Sequence, residues 1–488
     1  MSRPLADIRE ALRRAGLLVT ESGALPDAVE AITDDSRTVQ RGALFLAVRG
    51  AERDGHSYLA IAAERGATAA IVDDVSRATL PALVVSDTRL AAAVAAAAYY
   101  QEPAATLRLV GVTGTNGKTT TVSMLRHLLD EPDAHAASIG TLGVLVGSAG
   151  EPLDGGSGLT TPGPVELQRV LRALHERGVR TVAMETSSHA LHQQRVEALA
   201  FAAGVFTNLT RDHLDYHGTM EAYFAAKALL VEHLTSDGVA VVNADDRIWD
   251  SLPAAPRTVR FGLGAAADVR ARQVRSTPDG SRFTLALGEE TYDVVLPLIG
   301  DFNVANALAA AAAAWALGMK GDIIAARIAT MPQVPGRLEI VNERPTVLRD
   351  YSHTPDSLER AIAAVRPFAS GKLIVVFGCG GDRDRGKRPV MGRIAARGAD
   401  VAIVTSDNPR TEDPERILDE IEMGMDEVPH ERIEDRRDAI ARALDIAEPG
   451  DLILLAGKGH ETYQIRGTTK LPFDERQIVR EIVTERVS

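Results

Sequence analysis

The stretch VGVTGTNGKTTTVSML, Val110–Leu125, decides the fold class. Its opening residues continue a β-branched run, Leu107–Thr113, that reads as a strand. Gly114–Gly117 interrupts the run, and Thr119–Leu129 resumes with helical spacing. Strand, glycine loop and helix in that order open a parallel α/β unit. The same order also makes an anion site, because loop amides point inward and the helix N-terminus adds partial positive charge. Gly114 and Gly117 permit the tight path, with Thr115 and Asn116 between them. Lys118 can reach the β- and γ-phosphates of a nucleotide, and Thr119, followed by Thr120, can hold Mg2+ through its hydroxyl. The strict pattern G-x-x-x-x-G-K-[ST] asks for a glycine where Val112 stands, so only GTNGKTT remains. The bland alternative is a glycine-rich turn with an ordinary first-turn lysine. The orderly strand, loop and helix weigh against it.

Working outward, the chain before this unit alternates apolar runs (Leu44–Val48, Ala69–Val72, Ala82–Val85) with Ala-rich helical stretches, then breaks at Gln101–Thr106. After it, Thr181–Met184, Ala203–Thr207 and Val239–Asn243 read as further strands. Met331–Gly336 (MPQVPG) reads as a second boundary. The last part repeats one arrangement three times. Leu373–Phe377 runs into Gly378–Lys387, Val401–Thr405 into Ser406–Arg410, and Leu452–Ala456 into Gly457–Glu461. Apolar strands of this kind belong to a sheet covered on both faces, and ligands bind beyond the carboxyl ends of such strands. The expectation is an α/β chain of three domains, 1–106, 107–336 and 337–488. A central P-loop-type parallel sheet domain is flanked by an N-terminal α/β domain and a C-terminal Rossmann-like α/β domain. Gly378-x-Gly380-Gly381 lacks the third glycine of a dinucleotide site, so a Rossmann cofactor is not expected.

Composition sets the class. The chain has 488 residues, matching three domains of about 150. Hydrophobic residues reach 45% and aromatics only 4%, so Ala, Val, Leu and Ile must fill the cores. With 54 Lys and Arg against 67 Asp and Glu, the net charge of −13 argues against a nucleic-acid backbone binder. The lone Cys379 excludes an internal disulfide framework and a four-cysteine zinc site, and fits a reducing cytoplasm. The N-terminus MSRPLADIREALRRAG has no apolar core of a secretory signal. Leu90–Tyr100 and Val304–Leu317 fall short of the roughly 18–20 residues of a membrane span. A soluble cytoplasmic protein is expected.

A phosphate loop alone leaves kinase, motor and synthetase open. Glu185, in Met184–His189, follows a strand and can place a carboxylate where a metal wants oxygen ligands. His213, in Thr207–His213, follows another and can ligate or orient. Each alone reads as a surface residue. Their shared position after successive strands of one sheet argues for function.

These residues resemble the Mur ligase family, ATP-dependent amide-forming enzymes of peptidoglycan precursor synthesis. Gly114–Thr120, Glu185 with Ser187-Ser188-His189, Asn208 with Asp212-His213, Asn303 with Asn306, Gly336-Arg337 and Asp350–Ser357 all match family patterns, in family order. Asp35-Ser36-Arg37, Thr160-Thr161-Pro162 and the loops GGDRD, DNPR and GKGHE resemble the branch that adds a third residue to UDP-MurNAc-L-Ala-D-Glu. Relatives that add meso-2,6-diaminopimelate carry DNPR, as Asp407-Asn408-Pro409-Arg410 does here.

The resemblance implies the reaction. ATP phosphorylates the D-Glu γ-carboxylate, and the amine of the incoming amino acid captures the acyl phosphate. The three domains would take UDP-MurNAc, ATP and amino acid in chain order. Lys118, His213 and Lys227 would be catalytic. Thr119, Glu185, His213 and Lys227 would serve Mg2+, with Lys227 carbamylated by CO2. On composition alone Lys227, in the helical stretch Glu221–Leu230, is a surface lysine. Asn303, Asn306, Arg337 and Asp350 would join the loop in holding ATP, with Arg337 at a hinge. His353 would help orient this region. Asp34, Ser36, Thr160, Thr161, Ser187, Gln193 and Arg195 would hold the UDP-MurNAc-peptide, with Ala51–Arg53 nearby. Relatives often have Asn before the two threonines; Leu159 stands there here. A monomer is implied.

The amino-acid pocket also follows from charge. Diaminopimelate carries two carboxylates and two ammonium groups, one of which must attack. The remote carboxylate suits the planar fork of Arg410 and Arg383. The remote ammonium suits Asp407, Asn408 and Glu461, with Pro409 and Gly457 on the same rim. A ligand-free salt-bridged loop cluster is the bland alternative. The same ligase using L-lysine and a folylpolyglutamate-synthetase-like ligase are the competing enzyme readings. A P-loop motor would hydrolyse ATP without any amino acid.

Overall fold

The computed structural model describes residues 2–50, 53–156, 158–277, 279–425 and 428–487. Ala51 and Glu52 lie outside them. The described chain divides into two compact units, Met1–Asp268 with Ala309–Met319, and Val269–Leu308 with Lys320–Ser488.

The first unit holds two sheets. The N-terminal one runs Leu18–Ser22, Ala82–Val85, Ala67–Val72, Ala43–Leu46, Ala31–Thr33, parallel except for its first strand. Three of these strands were expected, and each alternates its residues between two cores. Leu44, Leu46 and Ile71 pack with the helix Thr88–Tyr99 on one face. Phe45, Ala70 and Val72 pack with the helix Leu59–Glu64 on the other. At 101–106 the helix Thr88–Tyr99 has ended. Gln101 and Glu102 take positive φ before the short turn Pro103–Thr106.

The second sheet of this unit carries the phosphate loop. Its parallel part runs Ala136–Gly140, Thr181–Glu185, Arg108–Thr113, Phe201–Phe206, Leu234–Asn243, Arg257–Gly262. Gly143–Val146 and Glu151–Leu153 extend one edge antiparallel. Arg108–Thr113 lies mid-sheet, between the strands that end at Glu185 and Phe206. Chain-distant residues therefore meet at one carboxyl edge.

The second unit begins with an antiparallel meander, Val269–Thr277, Gly280–Leu287, Glu290–Leu296, that sequence reading did not anticipate. Its strands alternate apolar with charged residues, as a half-exposed sheet does. The C-terminal sheet runs Glu339–Glu343, Thr346–Asp350, Leu452–Ala456, Leu373–Phe377, Val401–Val404, Glu431–Arg432. Only its first pair is antiparallel. Val375, Phe377 and Leu454 face the helices Pro355–Val365, Arg388–Gly398 and Pro414–Glu422. Ile374, Val376 and Ile453 face Arg436–Ile446 and Glu475–Val487. Both faces are covered, as the unbroken apolar runs require. The run Val304–Leu317 falls in the helix Asp301–Ala316. Among the described residues no helix is long and apolar enough to cross a membrane.

Candidate active site

In the first unit the phosphate loop is held open from both sides. Gly114 sits at φ 146°, and a Cβ there would lie 1.9 Å from Thr207 Oγ1. Gly117 sits at φ 87° and leads into the helix Lys118–Leu129. Only glycine fits either position without strain. The neighbouring strand end braces the loop. The Thr115 amide donates to Asn208 O at 2.7 Å. The Asn116 amide donates to Asn208 Oδ1 at 2.9 Å, and Thr207 Oγ1 donates to Asn116 O at 2.7 Å.

Two lysines share one acceptor in this loop. Lys118 Nζ donates to Gly114 O at 3.0 Å and Thr115 O at 2.8 Å. Lys227 Nζ donates to Gly114 O at 2.7 Å and lies 4.4 Å from the centre of the Tyr223 ring. Lys227 is only 1% exposed, not the surface residue that composition suggests. Burial lowers its pKa well below the usual lysine value, and the Lys118 charge lowers it further. The helix that presents it, Met220–Ala228, starts at Thr219, whose hydroxyl accepts from the Ala222 amide at 3.2 Å.

Glu185 ends the adjacent strand and is buried. Its carboxylate accepts from the Thr141 amide at 2.8 Å and the Thr141 hydroxyl at 3.2 Å. Thr161 Oγ1 donates to Glu185 O at 2.8 Å and lies 3.2 Å from Ser187 Oγ. Arg195 donates to Thr161 O at 2.9 Å and to Gln193 Oε1 at 2.6 Å. Thr160, Thr161, Ser187, Gln193 and Arg195 therefore form one connected set, with Thr160 3.4 Å from Thr141. Asp34 stands nearby: a Cβ at Gly163 would be 3.7 Å from its Oδ2. Ser36 sits in the turn that Asp35 and Arg37 close, and its carbonyl accepts from Arg65 at 3.0 Å.

Histidines crowd the rim. His189 and His213 rings stand 4.8 Å apart, His189 and His217 5.4 Å, and Tyr216 stacks 4.3 Å from His189. His213 is in the left-handed region at φ 53°. The His213 side chain is 46% exposed, and its partial desolvation lowers its pKa, with Lys118 and Lys227 adding to the effect. Burial also drops His189 and His217 to about 4. These rings are neutral at neutral pH.

Among the described residues no three His, Cys, Asp or Glu side chains cluster as a metal site. Thr119 and Glu185 offer few oxygens. That donor set fits magnesium, which keeps several waters and leans on substrate phosphates.

In the second unit, Asn303 and Asn306 are buried and bonded to each other, Asn306 Nδ2 donating to Asn303 Oδ1 at 3.1 Å. Arg337 lies 4.8 Å over the Tyr351 ring. Asp350 accepts from the Leu338 amide at 2.8 Å and from Ser352 Oγ, and burial raises its pKa. His353 Nδ1 is 2.8 Å from Tyr351 O.

The three expected loops converge at the carboxyl edge of the C-terminal sheet. Gly457 donates to Asp350 O at 3.0 Å, and a Cβ on it would meet Asp407 Oδ2 at 3.0 Å. Asn408 Nδ2 donates to Glu461 Oε2 at 2.9 Å. Arg410, at φ 51°, donates to Gly381 O at 2.8 Å. A Cβ at Gly380 would lie 2.8 Å from Arg410 Nη1 and 3.9 Å from Arg383 Cγ, so both arginines flank that glycine. Pro409 is buried beneath, its carbonyl close against Gly381. One role shifts. Asn408 Oδ1 already accepts from Lys458 and from the Ile465 amide, at 3.1 and 2.9 Å, so it has no lone pair for a ligand ammonium.

Sequence reading assigned no role to Asn208, Thr141, Tyr223 or Lys458. Asn208 and Thr141 follow strand ends beside the loop strand and Glu185, so strand order was the signal. Lys458, in the GKGHE loop, is buried by the folded chain.

A mid-sheet phosphate loop, two lysines on one loop carbonyl and a second sheet edge lined by acids and arginines define a nucleotide-using synthetase of the α/β class. Three family models match in chain order: Mur ligase family, catalytic domain over 28–107; Mur ligase middle domain over 112–314; and Mur ligase, glutamate ligase domain over 336–459. The UDP-N-acetylmuramoyl-L-alanyl-D-glutamate–2,6-diaminopimelate ligase of Geobacillus kaustophilus is 46% identical over 477 residues, 95% of this chain and 96% of its own. The Synechococcus elongatus protein of the same name is 45% identical, covering 97% of each. A solved structure of that ligase superimposes with a TM-score of 0.70 over 100% of both chains, at 32% identity. The chain belongs to the Mur ligase family.

Proposed function

We propose that the protein joins meso-2,6-diaminopimelate to the D-Glu γ-carboxylate of UDP-MurNAc-L-Ala-D-Glu, using ATP, in peptidoglycan precursor synthesis. The carrying observation is the C-terminal rim, where Asp407, Arg410 and Glu461 bring acids and an arginine fork together. The names of the relatives agree with it.

A carboxylate is a poor electrophile. Its oxygen attacks the γ-phosphorus of ATP, the bond to ADP breaks, and the acyl phosphate carries a leaving group. The free amine then attacks the acyl carbon, phosphate departs, and the amine gives up its proton as the amide forms. The chain's main work is placing anions and spreading charge. Lys118 and the amides of Gly114–Thr120 would hold the phosphates, exchanging the loop carbonyls for phosphate oxygens. Asn303, Asn306, Arg337 and Asp350 are the proposed nucleotide contacts of the second unit. Thr119, Glu185 and His213 would hold Mg2+, which supplies charge neutralisation. Lys227, whose burial lowers its pKa well below the usual lysine value, is suited to add CO2. The resulting carbamate would place an anionic oxygen ligand where the amine stood.

Thr160, Thr161, Ser187, Gln193 and Arg195, with Asp34 and Ser36, would take the nucleotide-peptide. Arg383 and Arg410 would take the remote carboxylate of diaminopimelate. We propose domain limits at 106/107 and 336/337, and action in the cytoplasm as a monomer.

The test is phosphate release by purified protein with ATP, UDP-MurNAc-L-Ala-D-Glu and a panel of amino acids. Release with diaminopimelate and little with L-lysine or L-glutamate is expected. Preference for lysine would reassign the substrate. Release indifferent to the acceptor and the amino acid would overturn the ligase reading.

A further inference from the structure

Lys458 has no place in the reading above, yet it is a fully enclosed charge on the amino-acid rim. Its side chain is fully buried. Nζ lies 3.1 Å from Glu461 Oε2, 3.1 Å from Asn408 Oδ1 and 3.6 Å from Asp407 Oδ1. The Tyr463 and Phe473 rings lie 5.8 and 6.0 Å from it. A lysine is rarely buried so completely unless it is paired.

The charge count is informative. Asp407 and Glu461 give −2 and Lys458 gives +1, leaving −1. Asp407 is 6% exposed, and its Oδ1 has no hydrogen-bond partner among the described residues. A buried, unsatisfied carboxylate oxygen is costly, and a ligand donor would relieve it. Lys458 is held at 3.6 Å from that oxygen by its two closer partners. Lys458 also sets the amide of Asn408: with Oδ1 turned to the lysine and the Ile465 amide, Nδ2 must face Glu461.

We propose that Lys458 is a positioning residue for the amino-acid substrate. It sets the acceptor pocket to one net negative charge and leaves Asp407 Oδ1 without a hydrogen bond, so that the pocket takes a substrate whose far end carries a single ammonium. The inference rests on the amino-acid-adding reading and adds to it the residue that tunes charge. Without Lys458 two carboxylates would face one ammonium across a short gap, and one would protonate or swing away.

The experiment uses the full chain. Lys458→Met removes the charge at similar volume. The expected result is a KM for diaminopimelate raised on the order of tenfold or more, with kcat and the KM for ATP little changed. Adding Glu461→Gln to Lys458→Met restores the net charge of −1 and should recover part of the loss. Unchanged kinetics in Lys458→Met would overturn the proposal. So would equal losses for ATP and diaminopimelate, which mark a purely structural role. Should Lys458→Met fail to fold, the unmodified enzyme still decides. 2-Aminopimelate, which lacks one amine, should show a KM raised by on the order of tenfold or more; an equal KM overturns the proposal. If the unmodified enzyme turns over no amino acid, the parent reading falls and this one with it. If it uses diaminopimelate while Lys458→Met is unaffected, only the present inference falls.

Discussion

Lys118 and Lys227 both donate to Gly114 O, so two amines meet at one carbonyl. Burial lowers the pKa of the more enclosed Lys227, and the like charge of Lys118 lowers it further. Lys118 is the proposed phosphate contact. Lys118→Ala should cut turnover by about a hundredfold or more while the melting temperature holds; near-normal turnover would remove its phosphate role. The half-buried histidines His189 and His217 have a pH signature. His189 and His217 sit at about 4 when folded, against 6.5 for an unfolded histidine. Above pH 6.5 both states are neutral and nothing is gained or lost. As pH falls from 6.5 towards 4 the unfolded chain binds protons first, so stability is lost in that window. His189→Gln should flatten the slope of unfolding free energy between pH 6.5 and 4; equal slopes would show the ring is not buried neutral. Burial likewise pushes the Cys379 thiol up to about 12. Iodoacetamide at pH 8 should leave it intact in the native protein and label it once denatured.

At the scale of elements, strand ends do the assembling. The strands before Gly114, Thr141, Glu185 and Thr207 are parallel neighbours, so residues far apart in sequence share one edge. Gly114→Ala would force its Cβ into Thr207 Oγ1 and strain a φ that side chains avoid. We expect a loss of about 1–3 kcal/mol of stability and a weakened affinity for ATP, read by denaturant melts and calorimetry. Normal values for both would mean the loop is not braced as described. Arg410→Ala should raise the KM for diaminopimelate strongly with the KM for ATP nearly unchanged; equal losses would separate Arg410 from the amino acid. The unbroken apolar runs Leu373–Phe377 and Leu452–Ala456 were legible because both faces of that sheet are covered. The meander Val269–Leu296 was not. Its alternating arginines resemble a polar linker until cross-strand partners appear.

For the whole molecule, each unit has its own cores. Separate cores melt as separate cooperative blocks. Differential scanning calorimetry should give a calorimetric enthalpy larger than the van't Hoff enthalpy; equality would indicate a single block. The sequence by itself determined the α/β class, the phosphate loop and the three strand-end loops of the C-terminal sheet. Those signals are local: glycine spacing, a lysine at a helix start, and apolar runs of strand length. The tertiary structure alone decided which residues are buried and which meet. It turned Lys227 from a surface lysine into a low-pKa amine, engaged both lone pairs of Asn408 Oδ1, joined Thr141 to Glu185, and buried Lys458 between two carboxylates. The physical reason is that burial and pairing depend on neighbours brought by sheet order across tens of residues, and no short window of sequence contains them.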